Sequence, residues 1–293
     1  MKTKLLLAVA IGAIMTAGIG VAGSSITLKG SDTMVILGQR WAENYMAANK
    51  GAVIQVTGGG SGTGIAALIN GSADIAQSSR AMKDKEKLEV KTKRGAEPSE
   101  IATAMDGLAI YVHEGNPVAK LTLATIKEIY QGDILNWNEL GGPDEEIVVY
   151  SRENNSGTYA YFKEFVLMTE DFAPAVQTLP GTASIINAVS KDEWSIGYGG
   201  IGYSSGVKIL AVANNDSSAY FEPTEANVES GLYPLARPLF WYTIGEPTGD
   251  IKGLVDWVLS PAGQKVVTDV GYYPLPKAKT DEKAETAADA NGE

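Results

Sequence analysis

Three observations in this 293-residue chain predict an α/β fold with a largely parallel sheet. Short β-branched and apolar runs alternate with segments of helical periodicity along most of the length. Three strand-to-helix junctions carry a turn built from glycine and small hydroxyl residues. They are Gly30-Ser31-Asp32-Thr33, Gly60-Ser61-Gly62-Thr63-Gly64, and Ser151-Arg152-Glu153-Asn154-Asn155-Ser156-Gly157-Thr158. Composition is that of a globular protein, 44% apolar and 20% charged.

The elements follow in order. Residues 25–29 form a short strand running into Gly30. Over residues 33–48, Met34, Leu37, Trp41, Tyr45 and Ala48 recur at three- and four-residue spacing. That pattern predicts an amphipathic helix, with Ser31 or Asp32 as its N-cap. Residues 53–57 are a β-branched strand entering Gly58-Gly59-Gly60, and residues 65–69 a short helix. Residues 74–76 form a third strand, ending in Gln77-Ser78-Ser79-Arg80. Residues 107–113 are an apolar strand, and residues 121–130 a helix capped by Thr122. A strand at 147–150 leads to a helix at 157–168, with Phe162, Phe165 and Val166 on one face. Residues 195–203, 207–212 and 239–244 read as strands, and 251–259 and 261–270 as the last helices. Trp41, Trp137, Trp194, Trp241 and Trp257 read as packing residues, and His113, the single histidine, as structural.

The two ends read differently. Lys2 and Lys4 precede an apolar stretch at 5–14, and small residues follow to Gly23. This is the pattern of an export signal over residues 1–23. Residues 277–293 alternate charges with alanines and hold no large apolar side chain, the composition of a disordered tail. The absence of cysteine excludes disulfides, thiolate metal sites and a lipid-modified cysteine. A net charge of −11 makes the chain a poor nucleic-acid binder, since that role needs a basic face, and repels anions at long range. Any anion site must therefore work through local, buried donors.

The three turns supply such donors. A hydroxyl-and-glycine turn at a helix start presents free backbone N–H groups, O–H groups and the positive end of the helix dipole. That is the chemistry of holding an oxyanion. In an α/β sheet these turns lie together at the carboxyl ends of the strands, the ligand end. Arg152 stands four residues ahead of Ser156, and Arg80 directly follows its strand, so one anion gripped from several sides is the reading. Catalysis finds little support. Gly59-Gly60-Ser61-Gly62-Thr63 lacks the last glycine of a nucleophile elbow. One histidine cannot build the usual metal-phosphatase cluster. Gly197-Tyr198-Gly199-Gly200-Ile201-Gly202 fits a dinucleotide pattern but opens no helix.

A longer series of motifs carries a resemblance. To the turns it adds Ala73-Asp74-Ile75-Ala76-Gln77-Ser78-Ser79-Arg80, Asp106-Gly107-Leu108-Ala109, Asn116-Pro117-Val118, Ile129-Tyr130-Gln131-Gly132 with Asn136-Trp137, Gly141-Gly142, Ile196-Gly197-Tyr198 and Gly271-Tyr272-Tyr273-Pro274-Leu275. Taken in order, from about Ser24 to Pro276, the chain resembles the phosphate-binding proteins of phosphate ABC transporters in their shorter form. The resemblance implies a type II periplasmic-binding-protein fold, with two α/β lobes joined by crossing strands around a cleft. It implies lobe one at 24–113 and 238–276 and lobe two at 114–237, with crossovers at 107–113 and 234–244. The implied role is an exported, monomeric, non-enzymatic receptor that needs no cofactor or metal. It would bind inorganic phosphate in the periplasm or at the outer face of the membrane and deliver it to a permease. The implied ligand residues are Ser31, Asp32, Thr33, Met34, Ser61, Gly62, Arg80, Asp106, Arg152, Ser156, Gly157 and Thr158.

Two positions depart from the longer family members, which resemble this chain but carry aspartate where Arg80 and Asn154 stand. An aspartate there would accept the proton of hydrogen phosphate and repel sulfate. Asp106 is the first candidate to take over that task and Asp32 the second, while Arg80 either touches ligand or pairs with Asp106. Receptors of the same fold for sulfate, molybdate or tungstate, and a secreted phosphatase, are the alternatives.

Overall fold

The computed structural model describes residues 25–276, so the export signal and the tail lie outside the described residues. In chain order the elements are β1 (Ser25–Gly30), α1 (Val35–Ala48), β2 (Val53–Thr57), α2 (Ser61–Asn70), β3 (Ile75–Ser78), α3 (Asp84–Arg94), β4 (Pro98–Val112), β5 (Lys120–Thr122), α4 (Leu123–Gln131) and β6 (Val148–Arg152). There follow α5 (Gly157–Phe165), β7 (Gln177–Leu179), α6 (Gly181–Val189), β8 (Ser195–Gly200), β9 (Lys208–Ile209), β10 (Ala211–Ala213), α7 (Glu225–Glu229), β11 (Ala236–Ile244), α8 (Gly249–Leu259) and α9 (Pro261–Val270).

The main sheet runs β2-β1-β3-β11-β4-β8-β6-β7, with β9 paired to β4 and a separate β5–β10 pair. It is mixed rather than largely parallel. β1 is parallel to β2 and β3, and β6 is parallel to β7 and β8. The pairings of β11 with β3 and of β4 with β11, β8 and β9 are antiparallel. The reason is topological. Helical crossovers make parallel strands within each end of the sheet. The two central strands, β4 and β11, run in opposite directions and pair antiparallel. β4 makes the passage in one stretch, pairing with β11 over Pro98–Gly107 and with β8 over Leu108–Val112.

Two large apolar clusters make up most of the core; one runs along the sheet from Trp41 to Ile185 and Val189 of α6, and the other lies within the β6–β8 end. In one, Trp41 stands edge-on to Trp241 with centroids 5.3 Å apart, and its Nε1–H donates to Gly263 O at 2.8 Å. In the other, Phe162 stacks on Tyr198 at 4.0 Å with Tyr130 against both. Gly64 sets how closely α2 lies on β1, since a Cβ there would stand 2.3 Å from Lys29 O and 2.5 Å from Gly30 Cα. Gly64→Ala is expected to push the helix off the sheet and destabilise the protein by about 1–3 kcal/mol. A urea-unfolding midpoint equal to that of the wild type would contradict this.

Several boundaries differ from the sequence reading. A 3₁₀ turn at Asp32–Met34 precedes α1, and neither Ser31 nor Asp32 caps a helix with its side chain. α2 begins at Ser61 rather than 65. The strand at 195–203 stops at Gly200 and continues as a 3₁₀ turn. Residues 207–212 divide at Leu210 into β9 and β10, which join different sheets. Phe162 and Val166 are buried, but Phe165 is 50% exposed. Thr122 does cap α4, accepting the Thr125 N–H. The sequence reading missed α3, which has only Leu88 and Val90 as apolar residues and therefore no stripe, and also β7 and α6.

Candidate functional site

The site begins where β1 ends. Gly30 has φ 147°, and a Cβ on it would fall 2.0 Å from Gln77 O, so glycine alone lets β1 end beside β3. The turn that follows is fixed by its backbone. Ser31 N–H donates to Gln77 O at 2.8 Å, and Met34 N–H to Ser31 O at 3.0 Å. Two tyrosines brace it, Tyr203 donating to Asp32 O and Tyr272 to Thr33 O. Burial pushes the Tyr203 phenol up to about 12, so it remains a donor at neutral pH.

Five buried hydroxyls from four chain segments meet here. Ser31 Oγ donates to Ser79 Oγ at 3.0 Å. Thr33 Oγ1 and Thr158 Oγ1 share a bond of 2.9 Å. Ser79 Oγ lies 3.4 Å from both Ser61 Oγ and Thr158 Oγ1. Ser61 stands at the start of α2, Ser79 just beyond β3, and Thr158 in the first turn of α5. Gly157 backs onto the same point. It opens α5, where backbone N–H groups have no acceptor within the helix. A Cβ on it would lie 2.2 Å from Ser61 Oγ and 2.7 Å from Ser79 Oγ. The loops before α2 and α5 also join directly, through Gly62 N–H to Asn155 O and Asn155 Nδ2–H to Gly59 O.

Arg152 closes β6 with its side chain 1% exposed. Its Nη1–H donates to Thr182 Oγ1 at 2.7 Å and its Nη2–H to Asp32 Oδ2 at 2.9 Å. Its buried Nε has no partner among the described residues. Burial pushes the guanidinium down from its ordinary value, the Asp32 charge opposes that shift, and the Arg237 charge adds to it. Asp32 Oδ1 accepts the Gly59 N–H, so this aspartate ties the first turn to both the glycine loop and Arg152.

Of the twelve residues singled out, Ser31, Thr33, Ser61, Gly157 and Thr158 come together, with Asp32 and Arg152 attached through their ion pair. The others are placed differently. Arg80 grips Glu86 with both arms of its guanidinium, at 2.8 and 2.7 Å, and does not pair with Asp106. Ser79, the residue before it, is the one whose hydroxyl joins the cluster. The N–H groups of Met34 and Gly62 are engaged by Ser31 O and Asn155 O. Ser156 Oγ accepts the Thr158 and Tyr159 N–H groups as the cap of α5. Asp106 is fully buried and both its oxygens are engaged, Oδ2 by Arg237 Nε and Nη2 and Oδ1 by Ile201 N–H. Burial pushes its carboxyl up from the ordinary range, against the pull of Arg237. Asp106 is thus a support for Arg237 rather than an acceptor aimed at the cluster. Sequence reasoning missed Ser79 and Arg237. Ser79 adjoins a residue that was singled out, while Arg237 sits in no motif.

A set of hydroxyls, helix-start N–H groups and a buried guanidinium can hold a tetrahedral oxyanion without transforming it. Among the described residues, no group of His, Cys, Asp and Glu is placed to hold a metal ion. The PBP superfamily domain model matches residues 17–262. The phosphate-binding protein PstS of Pseudomonas aeruginosa is 38% identical over 282 residues, covering 90% of this chain and 87% of that one. A putative phosphate ABC transporter substrate-binding protein with bound phosphate, from Clostridium perfringens, aligns with TM-score 0.79 and 32% identity over 86% of this chain and 100% of that one. An ABC-type phosphate transport receptor from Vibrio cholerae aligns with TM-score 0.68 and 29% identity over 86% and 100% of the two chains.

Proposed function

This chain belongs to the PBP superfamily and, within it, to the phosphate-binding proteins of ABC transporters, and from that premise we propose that it captures inorganic phosphate in the hydroxyl cluster and delivers it to a permease. Its fold is the type II periplasmic-binding-protein fold. The observation that carries the site is the meeting of five buried hydroxyls, with a buried Arg152 tied to the first turn through Asp32 and left with an unpartnered Nε. A bound oxyanion supplies that partner. It also replaces hydroxyl-to-hydroxyl contacts with charge-assisted bonds, which are roughly twice as strong as neutral ones.

The cleft reading goes with this. Residues 24–113 and 238–276 form one lobe and 114–237 the other, with β4 and β11 as the crossing strands. Ser31, Thr33, Ser61 and Ser79 then approach from one lobe, and Arg152, Gly157 and Thr158 from the other. Closure excludes water and strengthens each bond to the anion. Asp32 Oδ1 and Oδ2 each accept one donor, from Gly59 and Arg152, and Asp106 Oδ1 accepts one, from Ile201. A carboxylate oxygen has two lone pairs, so in this reading the proton of hydrogen phosphate goes to one of these carboxylates or to a hydroxyl oxygen of the cluster. The receptor works as an exported monomer without turnover. No helix of the described residues is long and apolar enough to cross a membrane; the permease of this reading is the partner that the family implies.

Calorimetric titration of the phosphate-free protein with phosphate, sulfate and molybdate tests the reading. Saturable phosphate binding, tighter than that of either other anion, is expected. Tighter sulfate or molybdate binding would reassign the ligand, and no phosphate binding would remove the proposal.

A further inference from the structure

We propose that Arg237 is a second guanidinium in contact with the bound anion, and that Asp106 is the positioning residue that aims it; the inference rests on the phosphate-binding reading above. Arg237 lies on β11, opposite Asp106 in the β4–β11 register. It is 2% exposed. Nε and Nη2 both donate to Asp106 Oδ2, at 3.0 and 2.8 Å, and Nη1 donates to Ser79 O at 3.0 Å. The second Nη2 hydrogen goes to Thr158 Oγ1 at 3.1 Å. Thr158 Oγ1 is itself 2.9 Å from Thr33 Oγ1 and 3.4 Å from Ser79 Oγ, so the guanidinium reaches into the hydroxyl cluster. The ring of Tyr161 lies against its face, with the guanidinium carbon 5.1 Å from the centroid.

This fixation is tighter than a structural ion pair requires. A guanidinium offers five donors in a rigid plane. Here one edge is held by Asp106, one arm by a backbone carbonyl and one face by an aromatic ring, which leaves the Nη2 arm directed at Thr158. A phosphate oxygen entering the cluster takes over the N–H that Thr158 accepts. Charge argues the same way. Arg152 and Arg237 are both buried, and the charge of Arg237 disfavours that of Arg152. Each is balanced by one carboxylate, so the two cations relieve their mutual repulsion when an anion enters between them. Because Arg237 rests on both crossing strands, this second contact is built into the hinge rather than into a mobile loop.

The test must separate contact with ligand from structural support, because removing Arg237 alone strands the buried Asp106 charge. The double variant Asp106→Asn/Arg237→Gln removes both charges and keeps hydrogen-bonding shape. Its phosphate affinity, by calorimetry, is expected to fall about tenfold or more, while the unfolding temperature of the phosphate-free protein stays near that of the wild type. Affinity equal to wild type in this variant, with binding lost in Arg152→Ala, would overturn the role of Arg237 and leave the anion site intact. Wild-type protein that fails to bind phosphate would instead sink the reading beneath it. If the double variant does not fold, Arg237→Lys decides. Lysine keeps the charge but cannot span Asp106, Ser79 and Thr158, so about tenfold weaker binding is again expected and unchanged affinity overturns the proposal.

Discussion

Arg152→Ala is expected to weaken phosphate binding by about 100-fold or more. A hydrogen bond to a charged group contributes about 1.5–3 kcal/mol net. Arg152 has an unpartnered Nε and an Nη2 arm on Asp32, beside the first turn, and the proposed role gives it two such bonds to the anion. Two bonds correspond to about 3–6 kcal/mol, and each factor of ten in affinity is about 1.4 kcal/mol. The fold should tolerate the change better than the ligand does. Asp32 is 21% exposed and keeps the Gly59 N–H, so water can reach the carboxylate that loses its partner. Calorimetry and thermal unfolding of the same preparation separate the two effects. Affinity near wild type would mean that the anion sits elsewhere.

Gly157→Ala should be as damaging through shape alone. The backbone at 157 is an ordinary helix start and accepts alanine without strain, because it is not among the positive-φ glycines. The obstacle lies across the site. The new methyl would stand 2.2 Å from Ser61 Oγ, 2.7 Å from Ser79 Oγ and 2.9 Å from Ser61 Cβ. Rotating the Ser61 hydroxyl relieves the first contact but leaves the last, so α5 must back away from α2. Each hydroxyl of the cluster then loses reach at once. The expected result is a loss of phosphate affinity of about 100-fold or more, at the same ~1.4 kcal/mol per decade, together with a fold destabilised by about 1–3 kcal/mol, the cost of overpacking a buried site. Full affinity would show that the two elements do not close on the ligand.

Sequence periodicity by itself determined most of the strands and helices, the cap on α4, and three of the four segments that carry the hydroxyl cluster. These are local properties. A β-branched run, an apolar stripe or a glycine-hydroxyl turn acts through neighbours a few residues away, so its pattern is written in consecutive positions. Residues such as α3, whose surface is charged on nearly every side, left no such pattern. The tertiary structure alone decided which charges meet. Arg80 turned to Glu86, six residues on, and Arg237 took Asp106 across 131 positions. A guanidinium pairs with whichever carboxylate the backbone register delivers, and for Arg237 that register is set by two antiparallel strands far apart in the chain. For the same reason Ser79, and not its neighbour, joined the cluster, since Arg80 is held away by Glu86 while Ser79 meets hydroxyls from segments distant in the chain.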